Sequence, residues 1–315
     1  MISIVIPCYN RENLIVQTLL SIKKQTYEDW ECIIVDDGSQ DGTYFEIEKF
    51  IETDSRFKLY KRPETKPKGP SACRNYAITK SKGDYLQFFD SDDVMHPDHL
   101  KIKFEAINTH DFQFVSCDLK RVVFENELDF DLYKKKDLDN NLDIFKDFVK
   151  GGFPLMMMAP LWKFDFIKLY LPMREDMDML EDHELYARAL KDVTSYFHIN
   201  KVLILLRDGH ESLTNKFLKD VSSGVVSYLK ATKTVFDLID GDNEIELALL
   251  KKVLWVFRLA IAQKEYDSAD LCLTFIKKNT KGIILNMKIL RIEVFYNLFR
   301  SIGRGDTLFK RLLKI

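Results

Sequence analysis

The sequence is poor in residues that staple or kink a chain. Its 315 residues hold 5 Cys, 8 Pro and 12 Gly. The thiols are Cys8, Cys32, Cys73, Cys117 and Cys272, and none forms a Cys-x-x-Cys pair. An odd count at wide spacing speaks against a disulfide framework and a zinc site. Buried, reduced thiols in a cytoplasmic compartment are the expectation. So little Gly and Pro excludes a collagen-like or low-complexity chain. Long apolar runs are also missing. Val253–Ala262 is far too short to span a bilayer and contains Arg258. Met1-Ile2-Ser3-Ile4-Val5 has no basic n-region or cleavage site, so no signal peptide is expected there. Neither sign of charge dominates. Lys and Arg number 47, Asp and Glu 49, a net of −2 that carries no footprint for nucleic acid.

What is present suits a folded enzyme-sized chain. It is 46% hydrophobic and 30% charged, enough to bury a sizeable core. The length allows two domains, or one large α/β domain with an appendage. Charge is unevenly spread. Lys277–Ile315 holds ten basic residues against Glu293 and Asp306, a net of +8. That segment reads either as a solvated helical face or as a contact for an anionic membrane surface or partner.

Periodicity orders the chain. Ile2–Pro7 and Cys32–Val35 are short apolar runs of the kind that form strands buried on both faces. Phe57–Tyr60, Tyr85–Phe89, Phe112–Cys117 and Val202–Leu206 read as further strands. Helical stretches fall between them: one through Leu14, Thr18, Leu19 and Ile22, one opened by Asp41-Gly42-Thr43, one from Ser71, and one with Pro97 in its first turn. Glu125–Asp147, with Lys134-Lys135-Lys136, reads as a surface excursion and Gly151–Leu161 as a loop. Trp162–Leu171 and Glu181–Leu190 read as helices, and the chain reads as helical from about Ser222. Alternating strands and helices predict an α/β fold with a mostly parallel sheet covered on both faces. In such a sheet ligands sit outside the carboxyl ends of the strands. Those ends carry Tyr9-Asn10, Asp36-Asp37 and Asp90-Ser91-Asp92-Asp93, so polar and acidic groups converge on one rim.

Asp90-Ser91-Asp92 is the sharpest chemical feature. Two carboxylates so close repel unless neutralised, and hard oxygens suit Mg²⁺ or Mn²⁺. The competing reading is a helix cap made by Asp92 or Asp93.

Four motifs taken together narrow the choice. Val5-Ile6-Pro7-Cys8-Tyr9-Asn10, Val35-Asp36-Asp37-Gly38-Ser39-Gln40-Asp41-Gly42-Thr43, Ser71-Ala72-Cys73-Arg74-Asn75 and Asp90-Ser91-Asp92-Asp93 resemble, in order and spacing, the family 2 inverting glycosyltransferases of GT-A fold. Glu181-Asp182 matches as well, and the likeness reaches roughly Leu213. The resemblance implies a GT-A catalytic domain over 1–215 and leaves a helical region over 216–315. It implies transfer of a sugar from a nucleotide donor, UDP-linked by expectation, to a hydroxyl of a glycan or lipid-linked acceptor, as in surface polysaccharide synthesis. Mn²⁺ or Mg²⁺ is the implied cofactor.

The resemblance also implies roles. Pro7, Tyr9 and Asp37 would form the nucleoside pocket, with Asp36 supporting the loop or sharing that task. Gly69 and Arg74 would face the diphosphate, although Arg74 could equally pair with aspartates of the rim. Asp92 would be the principal metal ligand. Asp90 would hold ribose or sugar beside Ser91 and also border the metal. His210 would meet the metal or diphosphate, against the alternative of a structural His. Asp182 would be the general base, with Glu181 orienting it, against the alternative of a favourable helix start. Met156-Met157-Met158 and Trp162 read as core or as an acceptor groove. The stripe Leu285, Ile289, Ile292, Tyr296 and Phe299 reads as packing, or as a peripheral contact with the inner face of a membrane. Two other functions compete: a sugar nucleotidyltransferase, and a catalytically inactive glycosyltransferase-like binding module. The single base and absent glycine in Pro7-Cys8-Tyr9-Asn10-Arg11 weigh against the first. Intact Asp90, Asp92 and Asp182 weigh against the second.

Overall fold

The computed structural model describes residues 1–123, 130, 143–208, 213–239 and 241–302. The Lys134-Lys135-Lys136 run and His210 lie outside them. The chain divides into two compact units. The first comprises Met1–Ile144, Pro154–Glu175 and Glu181–His210; the second comprises Phe145–Phe153, Asp176–Leu180 and Glu211–Ile315.

The first unit is a mixed, largely parallel sheet of eight strands flanked by helices. Its strands are β1 (Ile2–Cys8), β2 (Trp30–Asp36), β3 (Phe57–Lys61), β4 (Tyr85–Phe88), β5 (Val94–Met95), β6 (Phe114–Val122), β7 (Leu161–Lys163) and β8 (Tyr196–Arg207). The spatial order is β3-β2-β1-β4-β7-β6-β8-β5. Helices α1 (Ile15–Lys23), α2 (Thr43–Ile51), α3 (Pro70–Ile78) and α4 (His99–Thr109) follow strands in the manner expected of a wound sheet. α5 (Ile144–Lys150) falls, but for Ile144, in the second unit; α6 (Phe164–Ile167) and α7 (Glu181–Leu190) complete the first.

β1 is central and nearly wholly buried, pairing in parallel with β2 on one side and β4 on the other. Pro7 is tolerated there because pairing with β4 ends at Val5↔Phe88, so no ladder donor is missed beyond it. β1 and β2 finish level at Cys8↔Asp36, and β4 stops opposite Val5. Asp37 N donates to Cys8 O at 2.8 Å, and Phe89 N donates to Val5 O at 3.0 Å. The two acidic motifs and Tyr9 therefore share one rim.

The structure departs from the sequence reading at Trp162, Pro97 and β5, and decides between core and groove for the methionines. Trp162 does not start a helix: Leu161–Lys163 is a strand running antiparallel between β4 and β6. Packing decides it, because Trp162 is fully buried, 4.5 Å from the Phe114 ring and 5.5 Å from Tyr186. Pro97 precedes α4 instead of sitting in its first turn, and β5 pairs with β8 where no strand was expected. Met157 and Met158 are core side chains, as is Trp162, and none of the three lines a groove.

One buried polar network fastens these layers. Gln87 of β4 donates to Phe88 O at 2.7 Å and to Met158 O at 2.8 Å. Its Oε1 accepts from Lys103 Nζ and lies 3.1 Å from His99 Nε2. Lys103 Nζ donates again to Ala159 O at 2.6 Å. All three side chains are fully buried.

The second unit is helical: α8 (Leu213–Lys219), α9 (Val225–Leu238), α10 (Asn243–Gln263), α11 (Tyr266–Asn279) and α12 (Ile283–Ile302). Its core gathers Val253, Phe257, Ala269, Cys272, Ile276, Ile289, Ile292 and Tyr296. The stripe Leu285, Ile289, Ile292, Tyr296 and Phe299 therefore faces this core and not a membrane. Among the described residues no helix is long and apolar enough to cross a membrane.

Burial pulls the Lys103 ammonium down from 10.5 to about 8. Between those values the unfolded chain binds more protons, so the contribution of Lys103 to stability rises with pH. The stability of wild type relative to Lys103→Met should increase by about 3 kcal/mol between pH 7.5 and 10.5 in urea denaturation. A pH-independent difference would contradict this reading.

Candidate active site

The rim is built from loops that hold one another. Asp36, at the end of β2, turns back on its own loop. Its Oδ2 accepts from Gly38 N and Ser39 N at 3.0 Å each, and its Oδ1 from Ser39 Oγ at 2.5 Å. Asn10, after β1, adopts φ 51°, a left-handed conformation that Asn tolerates. Its N donates to Ser39 Oγ at 3.0 Å and its Oδ1 accepts from Gln40 N at 2.9 Å. The β1 and β2 loops are thereby locked together.

Asp37 points elsewhere. It pairs with Arg62 Nε and accepts from Gly69 N at 2.9 Å. Gly69 sits at φ 139°, where a side chain would strain the backbone, and it delivers the chain into α3. The two adjacent aspartates thus separate in geometry: Asp36 shapes a loop and Asp37 links β2 to the α3 N-terminus. Tyr9 is half-buried, with Lys68 Nζ 3.7 Å from its ring centroid. Arg62 and Lys68 did not stand out in the sequence. Their only signal there is position, just after a strand end and just before the Gly69 turn.

The second cluster centres on Arg74, which is 4% exposed. Its Nη2 donates to Asp90 Oδ1 at 2.7 Å and its Nη1 to Glu181 Oε1 at 2.9 Å. One guanidinium therefore joins β4's end to the start of α7. Arg74 Nε and, one turn earlier on α3, Ser71 Oγ are buried without a protein hydrogen-bond partner. Of the rim aspartates Arg74 pairs with Asp90, its second partner being Glu181, and its Nε has no protein partner.

Asp92 Oδ2 lies 3.3 Å from Arg11 Nε. Asp93 is buried and accepts from Arg207 N at 3.0 Å. Neither caps a helix, since α4 begins only at His99. Ser91 is buried and hydrogen-bonds with the Cys8 thiol, which burial pushes up to about 12. Pro7 lies on β1 just below Tyr9.

The carboxyl groups feel one another. Burial, opposed by Arg74 and reinforced by Asp92, raises Asp90 above the usual carboxylate range. Burial and repulsion from Asp90 and Asp92 raise Asp93 further. Asp182, in the first turn of α7, is pushed up to about 7, first by burial and then by Glu181. Arg74 and the amide of His183, which donates to Asp182 Oδ1 at 2.7 Å, act in the other direction.

Such a rim fits a hard divalent cation. Three carboxyl groups within four residues are electrostatically strained, and a cation relieves that strain. Among the described residues no three His, Cys, Asp or Glu side chains converge as a complete metal cage. A cation held by one or two carboxylates and completed by phosphate oxygens and water needs none.

Breaking a buried ion pair on one side leaves uncompensated charge. Arg74→Gln should therefore cost about 3 kcal/mol in urea denaturation at pH 8. The loss should shrink at pH 5, where Asp182, pushed up to about 7, takes up a proton and needs less compensation. An equal loss at both pH values would contradict the ion-pair role.

Comparison with known proteins agrees with this geometry. The family model described as glycosyl transferase family 2 matches residues 3–164. An uncharacterised glycosyltransferase of Haemophilus influenzae is 37% identical over 126 residues, covering 38% of this chain and 49% of that protein. The Escherichia coli protein WfgD, named a UDP-Glc:alpha-D-GlcNAc-diphosphoundecaprenol beta-1,3-glucosyltransferase, is 34% identical over 115 residues, or 36% of this chain and 44% of its own. The chain thus spans less than half the length of both relatives. Among solved structures, residues 1–349 of S. aureus TarS in complex with UDP-GlcNAc superpose with a TM-score of 0.66 at 18% identity, over 89% of this chain and 81% of that one. The sheet is that of the GT-A fold, and the chain belongs to glycosyl transferase family 2.

Proposed function

We propose that the chain transfers a sugar from a nucleoside diphosphate donor to a hydroxyl of a glycan or lipid-linked acceptor, with inversion at the sugar. UDP is the donor half we favour, in keeping with the names of the E. coli and S. aureus relatives. The observation that carries the reading is Arg74 joining Asp90 to Glu181 beside Asp182. It brings a donor-side carboxylate and a candidate base into one electrostatic cluster.

The roles are those that the resemblance implies, and the geometry is compatible with them. Tyr9 and Asp37, supported by Pro7 and Asp36, take the nucleoside; Asp37 can accept from a base ring N–H and Tyr9 can stack. The α3 N-terminus, Gly69 and the open Arg74 Nε take the diphosphate. Asp92, with Asp90 and Ser91 beside it, would hold Mn²⁺ or Mg²⁺, which when bound neutralises the leaving diphosphate. Asp182 accepts the proton of the attacking hydroxyl, and Glu181, fixed by Arg74, orients it. His210 is proposed as a further contact to metal or diphosphate on the strength of the resemblance alone. We take 1–215 as the catalytic domain and 216–315 as a helical region serving acceptor or membrane contact. Five buried free thiols favour a reducing, cytoplasmic setting.

The Asp182 environment makes the test specific. Its carboxyl is raised, so it is half-protonated near pH 7 in the free protein. The acidic limb of kcat/KM should fall near pH 7, with activity rising as the proton leaves. Asp182→Asn should lower transfer by about 10²–10⁴-fold and leave UDP affinity intact. Because the folded state holds the Asp182 proton more tightly, this carboxyl's stabilising contribution is lost as pH rises from 4 to 7. The variant should therefore be more stable than wild type at pH 8. Product anomeric configuration by NMR would check inversion. Transfer within about threefold of wild type, far inside the general-base range, would assign Asp182 to structure only.

A further inference from the structure

α12 is apolar on two opposed faces, and only one of them is buried. Ile289, Ile292 and Tyr296 enter the helical core, as described above. The other side carries Ile283, Ile284, Met287, Leu290, Val294 and Leu298, which range from 50% to 80% exposed. Positions 283, 287, 290, 294 and 298 recur at three- and four-residue intervals, so they form one stripe along about four turns. Scattered exposed apolar residues need no explanation, but a contiguous stripe marks an interaction surface.

The charges beside the stripe select its occupant. Lys288 and Arg291 are exposed on one flank, and neither makes an ion pair among the described residues. The only acid of α12, Glu293, is engaged by Lys277 at 2.8 Å. The other flank offers Asn286 and Asn297. Residues 303–315 of the sequence add four more bases and one acid. An apolar stripe with a cationic flank matches a helix lying in the interface of an anionic bilayer, its apolar side in the acyl boundary. A second copy of the same face would bring like charges together. The helix is not itself a membrane span.

We infer that α12 is a lipid-docking helix, seating the chain on an anionic membrane surface through Ile283, Met287, Leu290, Val294 and Leu298. This surface is the reverse of the stripe that the sequence had suggested for a membrane. Its physiological purpose rests on the proposed lipid-linked acceptor. The docking itself needs no transfer chemistry.

The test is vesicle flotation of the full chain, with phosphatidylglycerol-rich and pure phosphatidylcholine vesicles. Wild type should float with the anionic vesicles and stay behind with the neutral ones. Each flanking cation is worth about fivefold, so Lys288→Gln with Arg291→Gln should weaken anionic binding about 25-fold. Met287→Gln, Leu290→Gln and Val294→Gln together should reduce it by about tenfold or more. All these positions are exposed, so circular dichroism should show the fold retained. Failure of wild type to float would overturn the docking helix, as would unchanged flotation of the apolar variant. So would a stable dimer in light scattering that the apolar substitutions dissociate, because a second copy would then cover the stripe. Lost flotation with sugar transfer intact rejects only the docking surface. Intact flotation without any transfer rejects only the transferase reading.

Discussion

A single buried guanidinium is the constraint on which the rim depends. Arg74 leaves α3 and meets Asp90 from β4 and Glu181 from α7, two carboxylates far apart in the chain. Without that cation Asp90, Glu181 and Asp182 would lose the charge that most directly offsets their repulsion, since Arg11 and Arg207 attend to Asp92 and Asp93. Burial first, and repulsion among the carboxyls second, keeps Asp90, Asp93 and Asp182 raised in spite of it. A rim of raised carboxyls beside an open Arg74 Nε is suited to a ligand that brings a cation and phosphate oxygens together.

The remainder of the first unit serves to present that cluster. β1, β2 and β4 are parallel neighbours, so their loops share one edge, and the loops are pinned through Asn10, Ser39 and Asp37. Behind them, the Gln87–His99–Lys103 network satisfies buried polar groups that would otherwise loosen the seam between β4, α4 and the Met158–Ala159 turn. Rigid support of this kind allows an electrostatically strained rim to persist.

Much of this was legible in the sequence because its signals are local. The buried runs of β1 and β2, the turn residues after them and the acidic segment after β4 all announce themselves within a few residues. The layout of a wound sheet, with a ligand rim at its carboxyl edge, follows from those alone. The resemblance supplied the roles of Asp92 and Asp182. What stayed hidden is non-local or very short. β5 and β7, of two and three residues, are too brief to show any period, and Trp162 takes its strand conformation from Phe114 and Tyr186. Lys103 looks like any surface lysine of an amphipathic helix until α4 is docked. The division of labour between Asp36 and Asp37 was unreadable, because Arg62 and Gly69 decide it from 25 and 32 residues away. On α12 the sequence reading singled out one apolar stripe; the exposed one opposite it emerged only from the packing.

We propose that this rim binds a nucleoside diphosphate together with a divalent cation held by Asp92. Calorimetric titration of UDP into the protein, with and without Mn²⁺, tests it most directly when repeated on Asp92→Ala. Strong binding that needs Mn²⁺ in wild type, and loses that dependence in Asp92→Ala with the fold unchanged, is the predicted result. Binding of UDP to the same extent in both proteins, indifferent to Mn²⁺, would contradict it.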